Sequence, residues 1–500
     1  MRTPRNLPPG TDISGVPANS FKTGGHPWPM LADVIEHAAS TTRRGPVLAV
    51  LLAGQVMVSL DGSIVSVAAQ TIRAGLGASD AEVQLLVSSY LLTTGVLFVT
   101  GARIGDVLGY RGAFLIGLGW FTGASLLCGL AVDPTMLVLA RIAQAIGAAL
   151  LMPQVFSLIH RHWEGAGRGR VIGAYSMVLA LGVALGQLIG GLVAEADVFG
   201  LSWRPVFLIN VPIGLIVLVI APRVLPSSRT EARARLDLFG VALLTAGMAA
   251  VTLPLIFGRD HGWPAWSWGV LACGVVLLGV FVRYESTARH PVFDLAALKP
   301  KGVKPGLAAC CVVMGCYTVF VLALTLHLQS GLGYTPLQAG LAFVPYAVGF
   351  GALSLSWNHC PPRLRRVMPI AGPLVFAAGA ILAVLLVRID GRAWGFLPVL
   401  LLAGAGHAAG YSPLIARVTS SVEPRFASAI SAANATGPVL AEVLGVAGIG
   451  GLYFAANSSG DGLLLVVVAI AALLVVATAC AAVSTRQFGL RHTEMCLAES

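Results

Sequence analysis

Charge is scarce in this sequence: 11% of its 500 residues are Asp, Glu, Lys or Arg, against roughly 25% in soluble domains. An ordinary water-soluble enzyme is thereby excluded. With 56% apolar residues and a mean hydropathy of +0.83, a globule of this size has too little interior to hide its apolar side chains. Lysine is nearly absent, at Lys22, Lys299, Lys301 and Lys304 only, and none of these follows a glycine. A phosphate-cradling G-x-x-x-x-G-K-[ST] loop is therefore missing, which argues against an ATP-driven pump. No Cys-x-x-Cys pair occurs and no His/Cys set has zinc-ligand spacing, so the eight cysteines read as small packing residues in apolar runs. HExxH and GxSxG are also lacking, which weighs against an integral-membrane enzyme, the reading from a different functional class.

What is abundant points to lipid as the solvent. The 59 glycines and 28 prolines, set in an apolar chain, fit close-packed and locally broken membrane helices. Residues 1–45 are polar, with Pro4, Pro8, Pro9, Pro17, Pro27 and Pro29, and are expected to form a disordered cytoplasmic arm. The arm has no apolar core of signal-peptide length, so the first spanning helix is expected to direct insertion.

From Pro46 onward, apolar stretches recur, each long enough to cross a hydrocarbon core of ~30 Å as a helix. Fourteen are expected, numbered α1–α14: 46–70, 83–102, 112–132, 135–159, 171–194, 205–222, 238–258, 265–283, 305–330, 338–357, 367–387, 394–416, 427–455 and 462–484. Alternating the loops between two sides, with the N-terminal arm in the cytoplasm, puts 26 Lys and Arg inside and five outside, leaving Arg141 within the membrane. An error of one helix would flip every later loop, so this bias supports the count and cytoplasmic termini. The net charge of +10 is thus a sidedness signal rather than a nucleic-acid footprint.

The spans fall into two six-helix halves of matched length, 46–222 and 305–484, around a linker with two extra helices, 223–304, and a cytoplasmic tail, 485–500. Such duplication is the layout of secondary transporters. The expected fold is an all-α integral-membrane one with two six-helix bundles and a two-helix insert.

Between α2 and α3 the chain reads Ala102-Arg-Ile-Gly105-Asp106-Val-Leu-Gly109-Tyr-Arg111. The glycines permit a tight turn, and Asp106 is placed to cap the next helix and pair with Arg111; a plain charged loop is the alternative. This stretch resembles the loop signature G-x-L-a-D-r-x-G-r-k of the major facilitator superfamily, with Ala102 and Val107 as departures. Arg141-Ile-Ala-Gln144-Ala-Ile-Gly147-Ala-Ala149 on α4 resembles that family's R-x-x-Q-G-x-G-a-A. Gly182-Val-Ala-Leu-Gly186-Gln187-Leu-Ile-Gly190-Gly191 on α5 resembles its antiporter motif, with Gln187 where proline is usual.

Two further stretches are similar to the fourteen-helix drug:proton antiporters. One is Leu60-Asp61-Gly-Ser-Ile64-Val65-Ser-Val67-Ala68, the other Trp203-Arg204-Pro-Val-Phe207-Leu-Ile209-Asn210-Val-Pro212-Ile-Gly214. In the second half, Gln329, Gly333-Tyr334-Thr-Pro336, Gly340 and Pro345 fit the same family. The resemblance implies the major facilitator fold and alternating access. It also implies proton-coupled export of small amphiphilic molecules, drugs or antibiotics among them, with uptake of a metabolite on the same fold as the alternative. No cofactor is implied beyond a proton gradient. The partners are substrate, protons and the lipid of the cytoplasmic membrane, with no nucleic acid, and the transporter is expected to be a monomer.

Ionisable residues inside a bilayer are costly and usually functional. Counting ~1.5 Å per residue, Asp61, Arg141 and Glu442 each lie ~21–22 Å from the cytoplasmic face, at one level. Asp61 is the expected proton site, competing with cationic or polar substrate, and Arg141 its stabilising partner; a purely structural pair is the alternative. Glu442 either couples protons or pairs within the second half. His407 and His327 read as buried, hydrogen-bonded histidines, and His407, Gln329 and Asn434 are candidates for lining a cavity. The glycines of α5, at spacing four, form a flat face serving either close packing or a hinge between the halves, echoed by Gly445, Gly448, Gly450 and Gly451 on α13.

Overall fold

The computed structural model describes residues 28–163, 171, 175, 178, 182, 185–196, 200–226, 237–258, 261–288, 291, 294–389, 394–423, 426–456 and 458–498. The chain divides after Val47, and the spanning segments from Leu48 onward belong to the second unit. The part of the expected arm before Trp28 lies outside the described residues. From Trp28 the chain is helical, in one helix that continues to Leu76, whereas the expected arm lacks structure as far as residue 45. No proline falls between Pro29 and Pro46, and Leu31, Ala32, Glu36, Ala38 and Ala39 are sound helix formers, which is why the helix starts early.

Among the described residues, thirteen helices are long and apolar enough to cross a membrane. They are α1 (Arg44–Leu76), α2 (Asp80–Leu108), α3 (Tyr110–Gly129), α4 (Pro134–Ile159), α6 (Pro205–Val224), α7 (Leu238–Phe257), α8 (Ala265–Glu285), α9 (Val303–Gly331), α10 (Pro336–His359), α11 (Pro362–Ile389), α12 (Trp394–Ser420), α13 (Ala429–Ala455) and α14 (Ser459–Phe488). Between α4 and α6, at the expected place of α5, the described part is a shorter apolar helix, Leu185–Glu195. No strand occurs among the described residues.

Local chemistry sets where the helices begin. Ser79 opens α2 with a reciprocal capping box to Glu82. Asp133 caps α4, accepting from the Met136 N–H at 2.8 Å, with Pro134 in the first turn. Arg141 thus falls two turns inside a well-started helix.

Packing segregates. α2, α3, α4 and α6 pack among themselves, as do α9, α10, α11, α12, α13 and α14. α7 and α8 pack on each other, and α7 reaches both α2 and α13, which also touch one another. The α2–α13 approach is close because Gly95 presents no side chain: a Cβ there would stand 3.0 Å from Val439 and 3.2 Å from Leu440.

The two groups also meet where α1, α5 and α9 end and α10 begins. Gln329 Nε2 donates to the Val67 carbonyl of α1 at 2.8 Å, and the Leu337 N–H of α10 donates to Glu195 of α5 at 3.2 Å. Gly191 fits so tightly that an added Cβ would lie 2.7 Å from Leu337 Cα. A single neutral hydrogen bond contributes about 1 kcal/mol, and that is roughly fivefold in an equilibrium. Gln329→Leu is therefore expected to raise the population open at this end about fivefold, read as a longer spin-label distance between α1 and α9. An unchanged distance distribution would show that the bridge does not bear on closure.

Candidate functional site

Asp61 is fully buried on α1, and an unpaired carboxylate there would carry a prohibitive desolvation cost. Its neighbours remove that cost with three donors. Arg141 Nη1 of α4 donates to Asp61 Oδ2 at 2.6 Å, Gln144 Nε2 to Asp61 Oδ1 at 2.8 Å, and Asn210 Nδ2 of α6 to the same Oδ1 at 3.0 Å. Arg141 and Gln144, three residues apart on one helix face, are also joined to each other, Nη1 to Oε1 at 2.6 Å. Gln144 Nε2 further donates to Ser125 Oγ of α3 at 2.8 Å, and Cys128 Sγ donates to Gln144 Oε1 at 3.7 Å. The Tyr90 ring of α2 lies 3.9 Å from the Arg141 guanidinium carbon, close enough for a cation–π contact. All of Asp61, Arg141, Gln144 and Asn210 are at most 1% exposed. The result is one salt bridge, closed on every side and assembled from α1, α2, α3, α4 and α6.

The entry to α6 aims Asn210 into this cluster. Trp203 is fully buried and meets Phe207 edge-on at 6.0 Å, and Arg204 donates to the Ala131 carbonyl at 3.1 Å, anchoring the turn against the end of α3. The helical run Pro205–Leu208 breaks at Ile209 and resumes at Asn210, in line with Asp61. Sequence reasoning places Asn210 only within a motif and does not single out Tyr90, Ser125 or Cys128. The available signal was a lone amide, hydroxyl or phenol inside an otherwise apolar run.

Glu442 is not joined to that cluster by any hydrogen bond or ion pair among the described residues. It is 9% exposed on α13, with Thr318 of α9 within hydrogen-bonding reach. Cys311, Tyr317 and Tyr411 stand near it. Since Gly95 meets Val439 and Leu440 and the two helices run in opposite directions, Glu442 falls ~4 Å along the axis from the level of Tyr90.

His407 is a packed core residue. Its Nδ1 lies 2.8 Å from Tyr346 Oη and its Nε2 3.3 Å from Met314 Sδ, and its ring meets Phe350, Tyr317 and Phe376 at 4.6, 4.9 and 5.6 Å. The flanking Gly404, Gly406 and Gly410 are close contacts to α10 and α11 rather than an opening. His327 is buried too. Gln329 bridges to Val67 of α1, and Asn434 ties α13 to α12 through Thr419 Oγ1 at 2.8 Å.

The α2–α3 turn differs from expectation. Asp106 accepts from Tyr110 Oη at 2.5 Å instead of capping α3, which starts on Gly109 with no side-chain cap. Gly109 has φ +82°, a value that glycine tolerates and other residues rarely adopt. Arg111 donates to the Pro222 carbonyl at the end of α6 at 2.5 Å, and Arg103 to the Pro291 carbonyl beyond α8. The polar groups of the turn therefore fasten neighbouring segments. Gly105 is needed because Gln154 of α4 fills the space where its Cβ would be, and Gly147 because a Cβ would stand 2.5 Å from Phe121 N of α3.

The α5 glycines divide between two neighbours. Gly182, Gly186 and Gly190 lie against Ser59, Leu60 with Ser63, and Ile64 of α1, while Gly191 alone faces α10. Gln187 Nε2 donates to the Ser63 carbonyl at 3.2 Å, and its Oε1 is buried without a partner among the described residues. The echo on α13 is weaker: a Cβ added at Gly445 would stand 2.9 Å from the Gly315 carbonyl oxygen, whereas one at Gly451, beyond the wide π-helical turn Gly445–Ile449, would meet nothing within 4 Å.

Comparison with known proteins bears on what such a site serves. Residues 51–446 match the family model of the Major Facilitator Superfamily. The chain is 34% identical to the probable actinorhodin transporter of Streptomyces coelicolor, over 82% of this chain and 73% of that one. It is 37% identical to the cephamycin export protein of Amycolatopsis lactamdurans, over 75% and 78%. With the puromycin resistance protein of Streptomyces alboniger it shares 33% identity, over 87% and 84%. Among solved structures it resembles a peptide transporter, POT, in complex with sulfate, with a TM-score of 0.63 at 13% identity over 88% of this chain and 94% of that one. A bacterial homologue of the human lysosomal transporter Spinster gives 0.60 at 19% identity over 89% and 98%. At such low identity these two likenesses speak to the fold alone.

Proposed function

The chain belongs to the major facilitator superfamily, and from that premise we propose that it exports small amphiphilic antibiotics or related metabolites across the cell membrane in exchange for protons. It is a multi-pass membrane transporter and not an enzyme. Export is favoured by its relatives, whose names speak of cephamycin export and of puromycin resistance. The observation that carries proton coupling is the isolated Asp61–Arg141 pair, enclosed by uncharged donors in a span with no other charge nearby among the described residues.

In this reading the ionised Asp61 holds Arg141, Gln144 and Asn210 together and so fastens α1 to α4 and α6. A proton on Asp61 removes the charge that aligns them, and α1 is freed to shift against the glycine face of α5. The end closed by Gln329 and Glu195 is then the outer one, as the Lys and Arg bias of the loops implies. Residues 46–222 and 305–484 act as the two moving halves and 223–304 as the insert. Both termini lie in the cytoplasm, the transporter works as a monomer, and the proton gradient replaces any cofactor. Glu442 faces the substrate path from the second half.

The test is accumulation of a panel of dyes and antibiotics in cells with and without the gene. For transported compounds, accumulation is expected to fall several-fold in expressing cells and to recover when the proton gradient is collapsed. Higher accumulation in expressing cells would instead mark proton-coupled uptake.

A further inference from the structure

Of the three donors that hold Asp61, two are committed and one is not. Arg141 offers N–H groups only and has no acceptor to give. Gln144 uses both sides of its amide: Nε2 donates to Asp61 and to Ser125, while Oε1 accepts from Arg141 and Cys128. Turning that amide over would break four contacts. Asn210 makes one hydrogen bond, Nδ2 to Asp61 Oδ1 at 3.0 Å, and its Oδ1 makes none among the described residues. A half-turn of its amide exchanges a donor for an acceptor at the Asp61 carboxyl and breaks nothing else.

We propose that Asn210 is a positioning residue that reads the protonation state of Asp61 by turning its side-chain amide, donating to the carboxylate and accepting from the carboxylic acid. The proposal rests on Asp61 being the proton site. With the proton on Oδ1, the new O–H is aimed at Asn210 Oδ1, Gln144 keeps its bond to a lone pair of the same oxygen, and Oδ2 continues to accept from Arg141. In both states Asp61 Oδ1 then faces a complementary group of Asn210, a donor for the carboxylate and an acceptor for the acid, which at a closed site is what allows both to be populated. Asn210 also opens the helical segment that follows the break at Ile209, so each state of Asp61 holds a different contact with α6. Among the described residues, the other charged or titratable groups facing Asp61 are Arg141 of α4, Tyr90 of α2 and Cys128 of α3, and α5 and α6 present none.

The test uses the full-length protein in liposomes, with infrared difference spectra between high and low pH and transport rates across the same range. Wild type is expected to show an asparagine side-chain carbonyl band changing in step with a carboxyl band. Asn210→Leu is expected to lose the amide band and at least tenfold in transport, while its pH midpoint moves by less than about half a unit, because a partner to both states favours neither. Asn210→Ser, whose hydroxyl donates and accepts, is expected to restore most of the rate and guards against a folding artefact. A rise in pH midpoint of one unit or more in Asn210→Leu at undiminished maximal rate would overturn the proposal and leave Asn210 a fixed donor. Persistence of the amide band in Asn210→Leu would overturn it too. Asp61→Asn is run beside them: if it keeps the carboxyl band and pH-dependent transport, the underlying assignment of the proton site fails, whatever the Asn210 variants show.

Discussion

Asp61→Asn is expected to reduce proton-driven efflux from cells, or uptake into everted vesicles, to the level of membranes without the transporter, while the protein still accumulates in the membrane. The asparagine keeps the shape and one carbonyl acceptor for Arg141 but cannot take and release a proton. Removing one member of a buried ion pair costs about 3–5 kcal/mol because the other charge is left uncompensated. Arg141 retains the Tyr90 ring at 3.9 Å and the Gln144 carbonyl at 2.6 Å, so the loss falls toward the low end of that range. The decisive control is the double variant Asp61→Asn with Arg141→Gln. It removes both charges, so thermal stability is expected to recover toward that of the parent, and transport is expected to stay absent. Recovery of transport in the double variant would show the pair to be structural and would move the coupling role elsewhere, with Glu442 the first group to examine.

Much of that site was legible before any coordinates, and the reason is the solvent. In lipid, apolar length alone marks a span, so α1–α4 and α6–α14 follow from hydropathy, with the ends of the spans within six residues of expectation. The same solvent makes each intramembrane charge conspicuous, which is how Asp61 and Arg141 stand out. What the sequence withholds is the pairing of faces. Asn210 lies 149 positions from Asp61, and no local pattern tells which way a lone amide on α6 points. Asp106 shows the converse: its spacing suits a cap or an ion pair with Arg111, yet the turn at Gly109 brings Tyr110 Oη, from the start of α3, onto its carboxylate. Glycine spacing likewise announces close packing without naming the neighbour, and the wide turn at Gly445–Ile449 breaks the register that made α13 look like a copy of α5. The bond from Gln329 to Val67 joins positions 262 apart, so only tertiary contact reveals it as a bridge between the two groups of helices.

Gly186→Leu is expected to abolish turnover and leave insertion intact. Insertion depends on summed apolar character, and replacing glycine by leucine in α5 makes that segment more apolar. Turnover depends on how α5 lies against α1. At Gly186 an added Cβ would overlap Ser63 Oγ and stand 2.5 Å from the Leu60 carbonyl oxygen, with Asp61 between those two residues. The Leu60 carbonyl is also the acceptor for Ser63 Oγ at 3.1 Å, so the obstruction is backbone held in place rather than a side chain free to swing aside. A leucine there forces α1 and α5 apart or rotates the turn bearing Asp61, and overpacking of this kind costs typically about 1–3 kcal/mol even where it is tolerated. A rotation that moves the Asp61 carboxyl by about 1 Å takes it out of reach of donors now at 2.6, 2.8 and 3.0 Å. Gly191→Leu separates this effect from general damage to α5, since Gly191 lies against α10 and not α1. That variant is expected to open the end bridged by Gln329 while leaving the Asp61 cluster assembled. Membrane abundance by immunoblot, transport in vesicles and the carboxyl band of Asp61 together decide the matter. Gly186→Leu with normal abundance, normal transport and an unchanged band would mean that α1 does not move on α5 at all.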